Sequence, residues 1–286
     1  MKNPSKIVWT ILDIINWGKD YLTKNGISNG KLELEWFLAD LLNCNRIDLY
    51  IQFEQPLNSS ELKKIKDFLN RRKNNEPFQY ILKKAQFYGY DFIVSPDVLI
   101  PRPETETIID LASRLGTYSN FLEVGTGSGC IAITLLKKNI FCSGLAIDIC
   151  ENTLKIAKKN ALKKSVKNLK FNKINFLKDE INQKFDCIIS NPPYISLNEI
   201  NSLDKNIIDY EPHIALTDSN DGLSFYHRFA KIGKNLLNAN GYILLETGGF
   251  NQIIEVNQIF LNSNFLTTLH KDQNGEERFI ELRINQ

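Results

Sequence analysis

Apolar residues recur at helical spacing through the first part of the chain. Ile7, Ile11, Ile14, Ile15 and Leu22 mark one amphipathic face, and Leu34, Phe37, Leu38, Leu41 and Leu42 mark a second. Asn58 with Glu61 three residues later has the form of a capping box. It predicts the start of a helix whose apolar positions are Leu62, Ile65, Phe68 and Leu69. Residues 1–82 therefore read as a helical module. The pattern changes between Tyr80 and Ile100, where Phe87, Tyr88, Tyr90, Phe92 and Val94 are strand-forming and Gly89 interrupts them. A hairpin-like connector over 83–103 is the expectation. Pro96, Pro101 and Pro103 hold the chain extended until a helix begins near Glu104.

From Phe121 the pattern becomes strand-helix alternation over the remainder, 104–286. Candidate strands are 121–125, 143–148, 169–174, 186–190 and 242–246, with helices between them such as 151–164. Two further strand-like stretches, 265–269 and 277–283, flank Asn274-Gly275, a strong hairpin signal. The expected fold is α/β: a doubly wound, mostly parallel seven-stranded sheet that ends in an antiparallel hairpin.

Composition narrows this picture by exclusion. With 35 basic and 33 acidic residues the net charge is +2, which argues against a strongly cationic nucleic-acid coat. The five cysteines (Cys44, Cys130, Cys142, Cys150 and Cys187) form no C-x-x-C pair and read as small hydrophobes in a reducing compartment. No apolar run approaches the ~18 residues of a membrane helix, so the expected location is the cytoplasm, with no membrane partner.

The candidate chemistry sits at predicted strand ends. Phe121-Leu122-Glu123-Val124 runs into Gly125-Thr126-Gly127-Ser128-Gly129, a loop in which glycines allow a sharp turn and close approach of a ligand. A dinucleotide fingerprint would place its third glycine one residue later, where Cys130 stands. Asp148 closes the next strand, roughly 20 residues on, where an acid can accept from two ribose hydroxyls. Glycine loop and acid together predict an adenosine-type ligand.

The end of the fourth strand carries Asn191-Pro192-Pro193-Tyr194. The prolines stiffen this loop and expose carbonyl acceptors. Asn191 adds a side-chain carbonyl, and Tyr194 adds a flat aromatic face. Two acceptors and a ring suit a planar NH₂ group, whose delocalised lone pair makes it a poor nucleophile. Orienting that nitrogen toward an electrophilic methyl group lowers the barrier by proximity, and acceptors tuned to the developing positive charge lower it further.

Taken together, these residues resemble the HemK-type peptide chain release factor glutamine methyltransferases, a family of S-adenosylmethionine-dependent class I methyltransferases. Asn-Pro-Pro-Tyr is shared with enzymes acting on adenine, so the finer resemblance rests on other segments. These are Glu76-Pro77 with Gln79-Tyr80-Ile81, Val94-Ser95-Pro96, Leu99 to Glu106, Glu211-Pro212 with Ala215-Leu216, and Asp221-Gly222-Leu223 with Tyr226. The resemblance implies methylation of the glutamine in the Gly-Gly-Gln motif of release factors, with S-adenosylmethionine as methyl donor. It implies that the helical domain and connector help hold that protein. By position, Gly125, Thr126, Gly127, Ser128, Gly129, Asp148, Phe176 and Asn191 would contact the cofactor. Asn191, Pro192, Pro193 and Tyr194 would bind the glutamine, with Asn191, Pro192 and Tyr194 catalytic. Two departures stand out. Asn175 occupies the place of an acid that brackets the adenine with Phe176, and can bond its amino group through the side-chain carbonyl. Thr247 replaces a histidine near Gly248.

Two alternatives keep the chemistry: a glutamine of a ribosomal protein, or an adenine amino group of DNA or RNA. The near-neutral charge and an expected short loop after Tyr194 weigh against a nucleic-acid substrate. His213, His227 and His270 do not cluster as metal ligands would. The basic run Lys63, Lys64, Lys66, Arg71, Arg72 and Lys73 reads as a solvated helix face. Arg102, between two prolines, is a candidate for a role near cofactor or substrate.

Overall fold

The computed structural model describes residues 8–116 and 118–285, and the chain divides into two compact units, Met1–Lys83 and Lys84–Gln286. Ile7, expected on the first helix face, lies outside the described residues.

The first unit is helical: α1 (Ile11–Lys24), α2 (Gly30–Leu42), α3 (Arg46–Ile51), α4 (Ser59–Lys73) and α5 (Phe78–Leu82). The predicted capping box forms at α4. Asn58 Oδ1 accepts from the Ser60 and Glu61 amides while the Glu61 carboxylate accepts from the Asn58 amide. Apolar faces converge on one core containing Ile11, Ile14, Ile15, Leu22, Leu34, Leu38, Ile65, Phe68 and Leu69. Burying each such side chain contributes roughly 1.5–3 kcal/mol. The basic run on α4 departs from expectation. Lys63, Lys64, Lys66 and Lys73 are exposed, but Arg72 is buried. Its guanidinium donates to the Glu33 carboxylate at 2.6 and 3.1 Å and to the Glu76 carbonyl at 2.5 Å. A guanidinium with these partners serves as an internal brace, because its charge and donors are satisfied inside the unit.

The second unit opens with a hairpin, β1 (Lys84–Phe87) and β2 (Tyr90–Ile93), reversed at Tyr88 and Gly89, both at positive φ. A 3₁₀ turn at Glu104–Glu106 leads into α6 (Thr107–Leu115). There follow β3 (Tyr118–Val124), α7 (Cys130–Lys137), β4 (Phe141–Asp148), α8 (Glu151–Lys163), β5 (Leu169–Lys173) and β6 (Phe185–Ser190). Then come α9 (Lys205–Tyr210), α10 (His213–Leu216), α11 (Ser224–Leu236), β7 (Leu237–Glu246), α12 (Phe250–Asn262), β8 (Phe265–Lys271) and β9 (Glu277–Ile284).

Strand order in the large sheet is β5-β4-β3-β6-β7-β9-β8, parallel except at β9. One core, with Ile108, Ile133 and Phe141, covers one face; the other, with Tyr226, Phe229 and Phe260, covers the opposite face. The order reverses between β3 and β6, and open α/β sheets bind ligands at the carboxyl ends beside such a switch point. The final hairpin forms, but Asn274-Gly275 is not a two-residue turn. Asp272 gathers the loop by accepting from the Asn274 and Glu276 amides, and only Gly275 takes positive φ. The stretch after Tyr194 also differs from the expected short loop, since residues 195–223 include α9 and α10.

Candidate active site

The glycine loop bends sharply from β3 into α7. Gly125, Gly127 and Gly129 sit at φ 72°, 55° and 81°, a region costly for residues with a Cβ. The Gly125 and Thr126 amides both donate to the Ile147 carbonyl at 3.0 Å. Below the turn, the Thr126 hydroxyl donates to the buried carboxyl of Glu123. Burial raises that carboxyl's pKa to about 8. Asn160 of α8, also buried, braces the loop from behind. It donates to the Ser128 carbonyl at 2.8 Å and exchanges bonds with both backbone groups of Ile93.

Gly125 and Gly127 border a cavity of about 320 Å³, together with Asp148, Phe176, Asn191 and Pro193. A Cβ built on either glycine meets nothing within 4 Å. Thr126, Ser128, Gly129 and Pro192 are buried behind these walls. Gly129 packs against Ile133 and Ala157, where a Cβ would sit 3.0 and 3.2 Å from their carbons. Asp148 accepts from the Gly127 amide at 3.1 Å through Oδ2 and from the Cys150 amide at 3.0 Å through Oδ1. Each carboxylate oxygen has a further lone pair for a ligand hydroxyl. Burial raises the Asp148 pKa, against the opposing effect of these amides. Phe176 forms an apolar wall, its ring centroid 6.2 Å from Phe225 and 4.4 Å from Phe229. Asn175 borders the same cavity, but its side-chain carbonyl accepts from the Leu177 amide at 3.1 Å. The oxygen expected to meet an adenine amino group thus already has one local donor.

Asn191 follows β6, between the strand ends of β3 and β7. Its Nδ2 donates to the Thr105 hydroxyl at 3.1 Å. Tyr194 is half-buried; burial, and secondarily the Glu246 carboxylate, push its hydroxyl pKa up. The Tyr194 carbonyl accepts from Gln252 Nε2 at 2.7 Å, while Gln252 Oε1 accepts from the Gly248 amide. Gly222, at φ 83°, lies against that carbonyl with no room for a Cβ. The loop is therefore braced by α12 and by the segment before α11.

A second, wider cavity of about 880 Å³ lies on the other side of the loop, bordered by Arg102, Tyr194, Leu216, Gln252 and Glu276 among others. Leu99, Asn191 and Ala215 border both cavities. Arg102 donates to the buried Glu211 carboxylate at 2.6 Å, and the other Glu211 oxygen accepts from the Ile100 amide at 3.2 Å. The proline-rich segment is thereby tied to the segment after the loop. Thr247 is buried, and its amide donates to the Arg278 carbonyl at 2.8 Å. Sequence reasoning did not single out Thr105, Glu123, Glu246 or Gln252. For the two acids a signal existed: each follows a short apolar run at or next to the carboxyl end of its strand.

The PrmC N-terminal domain family matches residues 13–82, and the Eco57I restriction-modification methylase family matches residues 116–270. A release factor glutamine methyltransferase of Geobacter sulfurreducens is 36% identical, covering 97% of this chain and 98% of that protein. One from Fusobacterium nucleatum is 37% identical, over 94% of this chain and 77% of its own length. The solved structure of a methyltransferase from Pyrococcus furiosus superposes with a TM-score of 0.54 at 17% identity, covering 79% of this chain and 98% of that one. That likeness bears on the fold alone.

Proposed function

The chain belongs to the release factor glutamine methyltransferases, and we propose that it methylates the side-chain amide nitrogen of the glutamine in the Gly-Gly-Gln motif of a peptide chain release factor. The observation that carries this reading is the meeting of two cavities at Asn191, one walled by glycine backbone and Asp148, the other open and wide.

The residues of the smaller cavity fit S-adenosylmethionine. Open space beyond Gly125 and Gly127 admits a ligand against the backbone, Asp148 would accept from ribose hydroxyls, and Phe176 would form the apolar wall for the adenine. When bound, the cofactor supplies an electrophilic methyl group on a sulfonium sulfur. The chain's own part is to orient the nitrogen. With its Nδ2 engaged by Thr105, Asn191 presents Oδ1 as an acceptor for one amide hydrogen. A proline carbonyl of the loop takes the other, and the Tyr194 ring covers the π face of the planar amide. Such a pair of acceptors directs the remaining lobe of the nitrogen and stabilises charge that develops on it. No strong base is required, because an alkylated amide sheds its proton readily.

In this reading residues 1–82 and the connector 83–103 help hold the release factor, and 104–286 carry the chemistry. A substrate of translation termination places the reaction in the cytoplasm. Incubation with labelled cofactor and a release factor tests the proposal. Label should appear on the wild-type factor and disappear when the Gly-Gly-Gln glutamine is changed to alanine; label that survives that change sinks it. A ribosomal protein offered as acceptor in the same assay separates that alternative. The match of 116–270 to a restriction-modification methylase family, and the length of 195–223, favour adenine as a second reading. Transfer to an oligonucleotide in preference to the release factor would establish it.

A further inference from the structure

The ring of Tyr194 can cover an acceptor amide only if the backbone that carries it stays in place. Pro192 and Pro193 stiffen the loop but donate no amide of their own, so its seat depends on what meets its carbonyls. At Tyr194 that partner is Gln252, the third residue of α12. Its Nε2 donates to the Tyr194 carbonyl at 2.7 Å, with the Gly222 carbonyl at 3.5 Å, and its Oε1 accepts from the Gly248 amide at 2.7 Å. A backbone N–H can only donate and a carbonyl can only accept, so these partners fix which way the Gln252 amide is turned. A side chain that merely capped α12 would need the Gly248 bond alone; the other bond reaches back 58 residues to the β6 loop. Gly248 also lies against the tyrosine, since a Cβ built there would sit 3.2 Å from Tyr194 Cδ2 and 3.0 Å from Gln252 Oε1. Past Tyr194 the chain is fixed in turn: the Ile195 amide donates to the Leu216 carbonyl at 3.0 Å and the Leu197 amide to the Asn220 carbonyl at 2.8 Å.

We propose that Gln252 is a positioning residue for methyl transfer, whose amide seats the Tyr194 backbone against the end of β7 and thereby sets the tyrosine ring over the acceptor amide. The proposal rests on the role given to Tyr194 above. Both short bonds of Gln252 end on backbone atoms, so it acts through the loop and not on the reacting nitrogen. Gln252 and Tyr194 border the wide cavity and not the smaller one, so loss of this amide should spare cofactor binding. Gln252→Glu is diagnostic of the direction of the amide. Ionised, the new carboxylate still accepts from Gly248 but sets a second acceptor against the Tyr194 carbonyl. Protonated, its O–H takes the place of the Nε2 donor, and both bonds return. Arg102, Glu199, Lys271, Glu276 and Glu277 border the same cavity, and Glu246 is buried at the end of β7. Being common to every variant, their titration cancels in a ratio between variants.

The experiment compares wild type, Gln252→Met and Gln252→Glu for methyl transfer to a release factor at pH 8 and pH 5.5, with cofactor affinity measured by calorimetry. Gln252→Met keeps the length of the side chain and removes both bonds. It should lower kcat about 30-fold at either pH, with release-factor KM and cofactor Kd each changed less than about threefold. Gln252→Glu should match that loss at pH 8, and its kcat relative to Gln252→Met should rise about fivefold at pH 5.5. In the cofactor-free protein, Gln252→Met should also speed hydrogen exchange of the Gly248 and Ile195 backbone amides, which needs no turnover to observe. Wild-type kcat in Gln252→Met, the same ratio between the two variants at both pH values, or unaltered exchange at Gly248 and Ile195 would each overturn the proposal. Failure of the wild-type protein to label a release factor strikes the underlying reading instead, and the exchange measurement still decides this one.

Discussion

A buried carboxyl lies near each half of the site, and only one of the two is hydrogen-bonded by a threonine. Glu123, under the cofactor loop, is held by Thr126 in the same turn. Glu246, buried at the end of β7, has no hydrogen-bond partner at Oε2 among the described residues. The glycine loop is built locally, from one strand, one turn and the start of one helix, while Asp148, Phe176 and Asn191 reach the same cavity from other strand ends. The acceptor half is assembled from remote segments: the proline-rich connector, the β6 loop, residues 211–222, β7 and α12. Its shape depends on side-chain pairs such as Arg102–Glu211 and Gln252–Tyr194. On the proposed reading, the cofactor would be met largely by a local glycine turn and the acceptor by tertiary assembly.

Substitutions can break the two halves separately. The largest effect is expected for Asn191→Ala, at the junction: kcat should fall about 1,000-fold while cofactor Kd stays within about tenfold. Single-turnover kinetics with calorimetry checks this, and unchanged turnover removes Asn191 from the chemistry. Next is Glu123→Gln. The folded-state pKa of about 8 exceeds the ordinary 4.5, so the folded protein binds more protons between those values. Its contribution to stability is therefore fully present below pH ~4.5 and lost as pH rises toward 8. Glu123→Gln should be more stable than wild type by roughly 3 kcal/mol at pH 8, with the difference shrinking in acid. Urea unfolding at several pH values would expose a wrong assignment as a constant difference.

Arg102→Ala strips the buried Glu211 carboxylate of its partner. It should cost about 2 kcal/mol of stability, discounted for the part-exposed arginine, and raise the release-factor KM about tenfold. A loss of cofactor affinity instead would merge the two halves. The smallest effect belongs to Gly127→Ala. A methyl group at φ 55°, pointing into the cavity, should weaken cofactor binding about tenfold while acceptor KM stays within about twofold. Calorimetry that found the same Kd would mean the cofactor does not approach this backbone.

The central strands of the sheet could be read from their apolar runs because they are buried on both faces. Strand ends moved by a few residues, as with β3, which begins at Tyr118, and β7, which begins at Leu237. The glycine loop, Asp148 and Asn191 were readable because strand-end position and residue type suffice to suggest their chemistry. Arg72 was misread as surface, since Glu33 is distant in sequence and only the packing of α2 and α4 brings the two together. The hairpin signalled by Asn274-Gly275 forms, but the part played by the Asp272 carboxylate, which gathers the loop amides, is not contained in that signal.

What the sequence by itself determined is the alternation of elements, the glycine turn and the place of Asn191-Pro192-Pro193-Tyr194 at the end of β6. These follow from local conformational preference and from residue types at strand ends. Only the tertiary structure decided how Thr105 meets Asn191, how Glu211 ties Arg102 and Ile100 to the far wall, and that Asn191 stands between two cavities. Hydrogen bonds between remote segments carry no period along the chain. They exist only once the sheet has set the strand ends side by side.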